Sequence, residues 1–358
     1  MSELGSLRQE LADIDRAIMQ LVGRRNALAR MIGERKAAAD EEVVVPAVEA
    51  VVVRRYVEAG AAAGVSAAAA SRIARAVIDE SVEVQGRVPR YSTPRRIFII
   101  GGNGGMGRWL SVFFAARGHT VMIADPHPAG AAWPVLDISS GCAAADVIIV
   151  ATPVSAAPGV LAEIVSLKAD ALVFDILSVK SPVVPVLRAA AAAGCRVCSV
   201  HPMFGPGAAS VAGRNVIVCD CGNAAAADAA AALFSGGTLL RMPVEQHDPV
   251  AAYVLGLSHA VNLAFSEALV RSGFSAEELA AAASTTFRKQ TAVSREVSGE
   301  NAELYYAIQR ENPCNDAAVA SLAAAVAELR TLGKEEFCDR MHAGAAWYSG
   351  ASAGFPDR

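Results

Sequence analysis

Three short stretches of this 358-residue sequence carry side chains suited to chemistry, and two long basic residues in its first forty raise a further question. His201-Pro202-Met203-Phe204-Gly205-Pro206 sets an imidazole, the side chain that exchanges protons most readily near neutral pH, directly after the apolar run Arg196–Val200. Asp175-Ile176-Leu177-Ser178-Val179-Lys180 ends the preceding apolar run in the same way. If both runs are parallel strands, the serine and the histidine project toward one crevice at the carboxyl edge of a sheet. A Ser/His pair also suits hydrolysis, but no G-x-S-x-G elbow accompanies it, so Ser178 is not expected to be a nucleophile. The third stretch, Gly102-Asn103-Gly104-Gly105-Met106-Gly107, fits G-x-G-x-x-G between an apolar run and a helical segment, with an acidic residue, Asp125, about 20 positions on. Glycines at this spacing allow a tight turn, close backbone approach to a pyrophosphate and close packing of helix on strand, so a dinucleotide site is expected. Asp125 can accept hydrogen bonds from both ribose hydroxyls and repels a 2′-phosphate, which favours NAD over NADP. Thr152 and Pro153, after the third apolar run, complete the expected cofactor-binding set.

The basic residues are Arg25, on the apolar stripe Ile18, Leu21, Leu28 and Ile32, and Lys36, eleven residues later and hence about three turns away on the same side. Further along, Ser81 and Gln85 are four apart and share a helical face with Ile73 and Val77. Cations on an apolar face either reach past its edge into water or meet a bound polyanion, and spacing alone leaves both readings open.

The elements that must position these residues fall into three blocks. Apolar residues at Leu7, Leu11, Ile14, Ile18, Leu21, Leu28 and Ile32 predict one long helix from Leu7 to about Lys36, followed by helices over 46–59 and from the N-cap Ser66 to Gln85. Three helices in under 90 residues bury little alone, so intertwining with a second copy is expected. Gly86, Pro89, Ser92, Thr93 and Pro94 break the pattern. Apolar runs at 97–100, 121–125, 147–151, 172–176, 196–200 and 216–219 then alternate with helical stretches, which predicts a doubly wound, mostly parallel Rossmann sheet. From about Val244 only helices are expected, over 249–269, 276–285, 295–310 and 315–343. The predicted fold class is therefore multi-domain, α and α/β. A helical domain at 1–90, a linker at 91–95, an NAD-binding domain at 96–243 and a helical substrate and dimerisation domain at 244–358 are expected.

In order, the glycine turn, Ser178-Val179-Lys180, His201 to Pro206, and Glu245-Gln246-His247-Asp248 followed by Ser258-His259 resemble the motifs of the prephenate dehydrogenase family, from about Arg96 onward. The resemblance implies that His201 accepts a hydrogen bond or proton from the substrate's 4-hydroxyl and that Ser178 supports it. It further implies that His247 and His259 line the substrate site and that Arg295 clamps a carboxylate, with Arg288 as the fallback. A second histidine that some members carry is Asn262 here. The first block is similar to the all-helical chorismate mutase domain. An ungapped reading puts Arg8, Arg25, Lys36, Glu49, Ser81 and Gln85 on that family's site positions, and Val45 and Val48 where an aspartate and an arginine are usual. Arg8 is seventeen residues before Arg25 and on another face; the family supplies it from the partner subunit, which implies a homodimer. The resemblance thus implies a bifunctional enzyme of tyrosine biosynthesis acting on chorismate and prephenate. The alternative is a prephenate or arogenate dehydrogenase whose first block only binds or dimerises.

A net charge of -4 lacks the basic excess that nucleic acid or an anionic membrane calls for. The apolar stretches read as too short or too Ala-rich to cross a bilayer, and Glu3, Arg8, Glu10 and Asp13 interrupt any leader-like start, so a cytoplasmic protein is expected. Cys195, Cys198, Cys219 and Cys221 lie in strand-like sequence and are expected to be buried inert thiols, with no metal site.

Overall fold

The structure, a computed structural model, describes residues 3–39, 41, 43–88, 93–167 and 170–350. Of the predicted linker, 91 and 92 lie outside the described residues, and 93–95 form neither helix nor strand. Two compact units are present. The first holds the chain up to Thr152, Ala156–Leu177 and Val186–Met242; the second holds Pro153–Ser155, Ser178–Pro185 and the chain from Pro243 onward.

The first unit opens with α1 (Glu3–Ala38), α2 (Pro46–Ala62) and α3 (Ala67–Gly86), and α3 packs on both of the others. Ser66 caps α3 by accepting the Ala69 N–H at 3.3 Å, as its type and position predict. The buried side of α3 is Ala70, Ala74, Ile78, Ser81 and Gln85. Ile73, expected to share that side, is 52% exposed, because the eight residues from 73 to 81 overshoot two turns by roughly 80°. Against α3, α1 presents Ala29 and Gly33, the latter so close that a Cβ would lie 3.0 Å from Gln85 Cα. The apolar stripe predicted for α1 therefore faces elsewhere: Leu7, Leu11, Ile14, Ile18, Leu21, Leu28 and Ile32 are each at least half exposed.

The sheet follows, with strands β1 (Arg96–Ile100), β2 (Thr120–Ala124), β3 (Val147–Val150), β4 (Leu172–Asp175), β5 (Val197–Pro202), β6 (Asn215–Asp220) and β7 (Thr238–Pro243) in the order β2-β1-β3-β4-β5-β6-β7. Strands β2 to β5 of that order are parallel, and β6 pairs antiparallel with β5. Helices α4 (Gly105–Ala116), α5 (Ile138–Ala144), α6 (Ala157–Leu167), α7 (Val184–Ala192) and α8 (Ala224–Leu233) connect them. Strand β7 was not legible, since Thr238–Pro243 lies at an edge with most of its residues exposed and lacks a core signature. One core cluster joins Ile97, Ile99, Val147, Ile149, Phe174 and Val200 of the sheet to Leu110, Phe113 and Phe114 of α4 and Ala230 of α8. The connection reverses direction between β1 and β3, the place where open α/β sheets bind ligands.

The second unit is helical beyond Pro243. Helix α9 (Val244–Ala251), a π turn (Ala252–Leu257) and α10 (Ser258–Arg271) run on without a break. The helix starts five residues before the expected Pro249, which sits inside it. After α11 (Ala276–Ala281) and α12 (Thr285–Ser298), Asn301 caps α13 (Ala302–Glu311) by accepting the N–H groups of Glu303 and Leu304. The predicted spans 295–310 and 315–343 are each two helices, the latter α14 (Asn315–Leu329) and α15 (Lys334–Gly350) parted at Thr331-Leu332-Gly333. By length and composition Val244–Arg271 could cross a membrane, contrary to the sequence reading. The helix buries His247, Asp248 and Asn262 within its own unit.

Candidate active sites

The cofactor cradle is built where β1 and β3 diverge. The residue that turns left-handed there is Gly101, at φ +83°, one position before the predicted motif, and a Cβ on it would lie 2.5 Å from Ala151 O. Gly102 has no room for a side chain beside Ile123, and Gly107 none beside Gly101 O, so α4 sits directly on the turn. Gly104 is the N-cap of α4, whose first-turn N–H groups have no partners within the helix. Asp125 is fixed by two backbone donors, Asn103 N to Oδ2 and His127 N to Oδ1, each at 2.9 Å. The Asn103 side chain donates to His127 O at 2.7 Å and accepts from Arg108 Nε at 3.1 Å. Thr152 Oγ1, at the end of β3, is buried with no hydrogen-bond partner among the described residues. Bare N–H groups at a helix start, an anchored carboxylate and an orphan hydroxyl fit a dinucleotide's phosphates, ribose and nicotinamide end. Pro153 belongs to the second unit.

His201 lies inside β5, not after it: the strand runs to Pro202 because His201 pairs with Ile217, and Pro202 with Val216, on the antiparallel β6. The parallel pairing with β4 stops at Ser199, so the histidine stands two residues beyond it, at the carboxyl end of the parallel sheet. Its side chain is 4% exposed. The chain that follows leans on the cradle. Phe204 meets Trp109 of α4 edge-on at 4.9 Å, Trp109 Nε1 donates to Ala208 O at 2.5 Å, and Pro206 lies within 3.2 Å of where a Gly105 Cβ would be. Asp175 and Ser199 are paired in register and are fully buried, on the sheet face that His201 shares by strand alternation.

Within the second unit, Ser178 begins a segment whose next residues, Lys180 and Ser181, are tied to Asp248. Lys180 N donates to Oδ1 at 2.9 Å, and Ser181 donates to Oδ2 through N at 2.8 Å and through Oγ at 2.5 Å. Burial alone would raise the Asp248 carboxyl, but the bonds from His247, Ser181 and Lys180 outweigh it and bring the pKa down to about 2. His247 Nδ1 lies 2.8 Å from Asp248 Oδ1, and since a carboxylate only accepts, Nδ1 carries the proton. His247 is fully enclosed. His259 of α10 is half-buried and stacks on Tyr305 of α13, ring centroids 4.1 Å apart. Burial lowers its pKa and keeps the ring neutral at pH 7, and its Nδ1 is buried with no partner among the described residues. Asn262 Oδ1 accepts from Gln290 Nε2 at 2.9 Å and from Ser294 Oγ at 2.8 Å. Arg295 is exposed in the last turn of α12, next to the buried Ser294, and Arg288 is exposed seven residues earlier, about two turns down the same face.

In the helical block, Arg25 donates to both Val77 O and Ser81 Oγ, which brings α1 and α3 together on one polar cluster. Gln85, 9% exposed, donates to Ser81 O at 3.2 Å, and its Oε1 has no partner among the described residues. Lys36 donates to Val43 O at 2.9 Å, and Glu49 lies half-buried in the first turn of α2. Arg8 is exposed seventeen residues up α1, roughly 25 Å from Arg25 at 1.5 Å per residue. The structure thus joins Arg25, Ser81 and Gln85 directly and leaves Arg8 apart. Val48 is 59% exposed. Sequence reasoning assigned no role to Gly101, Asp248, Ser181, Gln290 and Ser294; the bonds that join Asp248 to Ser181, and Gln290 and Ser294 to Asn262, span 28 to 67 residues and leave no local signal.

Residues 7–86 match the family described as chorismate mutase type II, 130–236 the nucleotide-binding domain of prephenate dehydrogenase, and 243–344 its dimerization domain. The T-protein of Haemophilus influenzae is 27% identical over 367 residues, spanning 99% of this chain and 95% of that protein. The T-protein of Enterobacter agglomerans is 26% identical over 310 residues, spanning 85% of this chain and 81% of that protein. The 4-amino-4-deoxyprephenate dehydrogenase of Streptomyces pristinaespiralis is 30% identical over 234 residues, spanning 61% of this chain and 78% of that protein. Among solved structures, prephenate dehydrogenase from A. aeolicus, in complex with hydroxyphenyl propionate and NAD+, superposes with a TM-score of 0.58 at 19% identity, covering 73% of this chain and 99% of that one. Synechocystis arogenate dehydrogenase gives 0.56 at 18% identity, covering 72% and 99%. These two share the fold.

Proposed function

Because the chain belongs to the prephenate dehydrogenase family and carries a type II chorismate mutase segment ahead of it, we propose that one polypeptide performs two consecutive steps of tyrosine biosynthesis. It rearranges chorismate to prephenate, then oxidises and decarboxylates prephenate to 4-hydroxyphenylpyruvate with NAD. The observation that carries the second step is the sheet edge, where the loop following His201 packs against the glycine turn and α4.

When bound, NAD supplies a hydride acceptor. His201 accepts the 4-hydroxyl proton as the hydride leaves C4; cleavage of the bond from C1 to the ring carboxylate then releases carbon dioxide, its electron pair makes the ring aromatic, and the imidazolium returns the proton to the phenolate oxygen. Ser178 supports His201, and Asp125 selects NAD through the ribose hydroxyls. Thr152 and Pro153 would complete the residues that hold the cofactor. His259, held neutral and stacked on Tyr305, and Arg295 complete the substrate side, the arginine as a bidentate clamp on a carboxylate.

The rearrangement needs no nucleophile. Arg25 and the partner subunit's copy of the Arg8 position hold the carboxylates of a compact chorismate, Lys36 and Gln85 donate to the ether oxygen as that bond breaks, Glu49 takes the ring hydroxyl, and Ser81 holds Arg25. A homodimer is supported by the exposed stripe of α1, the distance of Arg8 from Arg25 and the dimerization-domain match.

Purified chain given chorismate and NAD, with no added prephenate, is expected to form NADH. His201→Asn lowers kcat by roughly 10²- to 10⁴-fold with little change in KM. Lys36→Ala abolishes NADH formation from chorismate while prephenate is still oxidised. A wild-type chain that reduces NAD with prephenate but never with chorismate would reduce the first block to a dimerisation module.

A further inference from the structure

Asp248 does something that the reaction as written does not use. It is 4% exposed, and three donors of the Lys180–Ser181 turn, both backbone N–H groups and the Ser181 hydroxyl, fall on its two oxygens at 2.5–2.9 Å. It is itself held from both ends: His247 Nδ1 lies 2.8 Å from Oδ1, and Asn312 Nδ2 donates to its backbone oxygen at 2.9 Å. His247 is fully enclosed and Asn312 is 4% exposed, so neither partner can swing away into water. The turn connects at one side to α7 through Lys180 O, which accepts the N–H groups of Val183 and Val184. At its other side, one buried residue, Val179, separates it from Ser178.

We propose that Asp248 is a positioning residue of the dehydrogenase step, locking the Lys180–Ser181 turn and through it the backbone that carries Ser178, with His247 as the brace that orients the carboxylate. The inference rests on the reading of Ser178 as the partner of His201. A buried carboxylate is costly unless several donors satisfy it, and here every donor comes from one turn or its brace. Hydrogen bonds to a charged acceptor are short and directional, so they fix a backbone more tightly than neutral ones. The assignment also changes the place of His247: it acts from behind the site, through Asp248, and touches no substrate.

The test compares the full-length wild type with Asp248→Asn, Ser181→Ala and the double variant. Asp248→Asn keeps the shape but turns one acceptor into a donor facing donors. Amide hydrogen exchange at Lys180 and Ser181 is expected to speed up, dehydrogenase kcat to fall by about tenfold or more, KM for NAD to stay unchanged and the chorismate mutase rate to stay at wild type. Ser181→Ala alone lowers kcat by about threefold, as one charged hydrogen bond of three is lost, and adds nothing in the Asp248→Asn background. Faster exchange at the two amides with wild-type kcat overturns the inference, and so does a Ser181→Ala effect that simply adds to that of Asp248→Asn. Should Asp248→Asn fail to fold, Ser181→Ala decides alone: wild-type kcat in that variant overturns the inference. If the wild type itself does not oxidise prephenate, the functional reading fails, independent of either variant.

Discussion

At the residue scale, what distinguishes the candidate sites is how few side chains are left to choose their own positions. Asp125 is the clearest case. Both of its oxygens accept a backbone N–H, one from the glycine turn and one from its own strand exit, so the carboxylate is aimed before any ribose arrives. Asp125→Ala is therefore expected to cost NAD binding twice, once through the lost ribose contact and once through a loosened Asn103. Steady-state kinetics with both cofactors checks this: kcat/KM for NAD should fall by about tenfold or more while that for NADP falls less, and an unchanged ratio removes Asp125 from cofactor selection. Gln85 and His259 show the complementary condition. Each keeps one buried polar atom with no partner among the described residues, a costly arrangement for a group whose only duty is packing.

At the scale of elements, the glycine turn depends on the contact between α4 and β1. Gly107 has Gly101 O where a side chain would begin, so the helix cannot retreat without moving the turn and the cradle with it. Gly107→Ala is expected to lower stability by about 1–3 kcal/mol through overpacking and to abolish NAD binding. Thermal unfolding and fluorescence titration with NAD report the two effects, and the chorismate mutase rate, read from α1 to α3, serves as the control. In the second unit, the run from α9 through the π turn into α10 places His247 and Asp248 on the interior at one end and His259 and Asn262 at the other. The π turn shifts the helical phase between the two groups. Gly256, inside it, receives Gln309 Nε2 on its backbone oxygen at 2.8 Å, and Asn315 presses against its Cα, which leaves no space for a larger residue.

For the whole molecule, the question is what covers α1. A 36-residue helix that buries only Ala29 and Gly33 in its own chain, with ten large apolar side chains from Leu4 to Ile32 at least half exposed, does not hold its shape for its own sake. Paired Leu11→Glu and Ile18→Glu substitutions touch no core contact of the single chain. In a homodimer intertwined through α1 they should remove the chorismate mutase rate, because Arg8 then no longer reaches a second site. Full mutase activity in the paired variant would argue against an intertwined first block.

The sequence by itself determined whatever depends on neighbours along the chain. That includes the N-cap at Ser66, the alternation of short apolar runs with helical stretches, the glycine turn with Asp125 behind it, and the histidine at the end of a strand. Local sterics and hydrogen bonding dictate these, so residue order is enough to read them. Tertiary structure alone decided which stripe of α1 meets α3, that β5 continues through His201 because β6 runs antiparallel beside it, and that His247 faces inward to Asp248. Contacts across 52 residues for Arg25 and Val77, or 67 for Ser181 and Asp248, are selected by packing of whole elements and leave no periodicity behind. Even the long helix beginning at Val244 was hidden for this reason: Pro249 reads locally as a helix start, and only the buried side of the folded unit carries the helix past it.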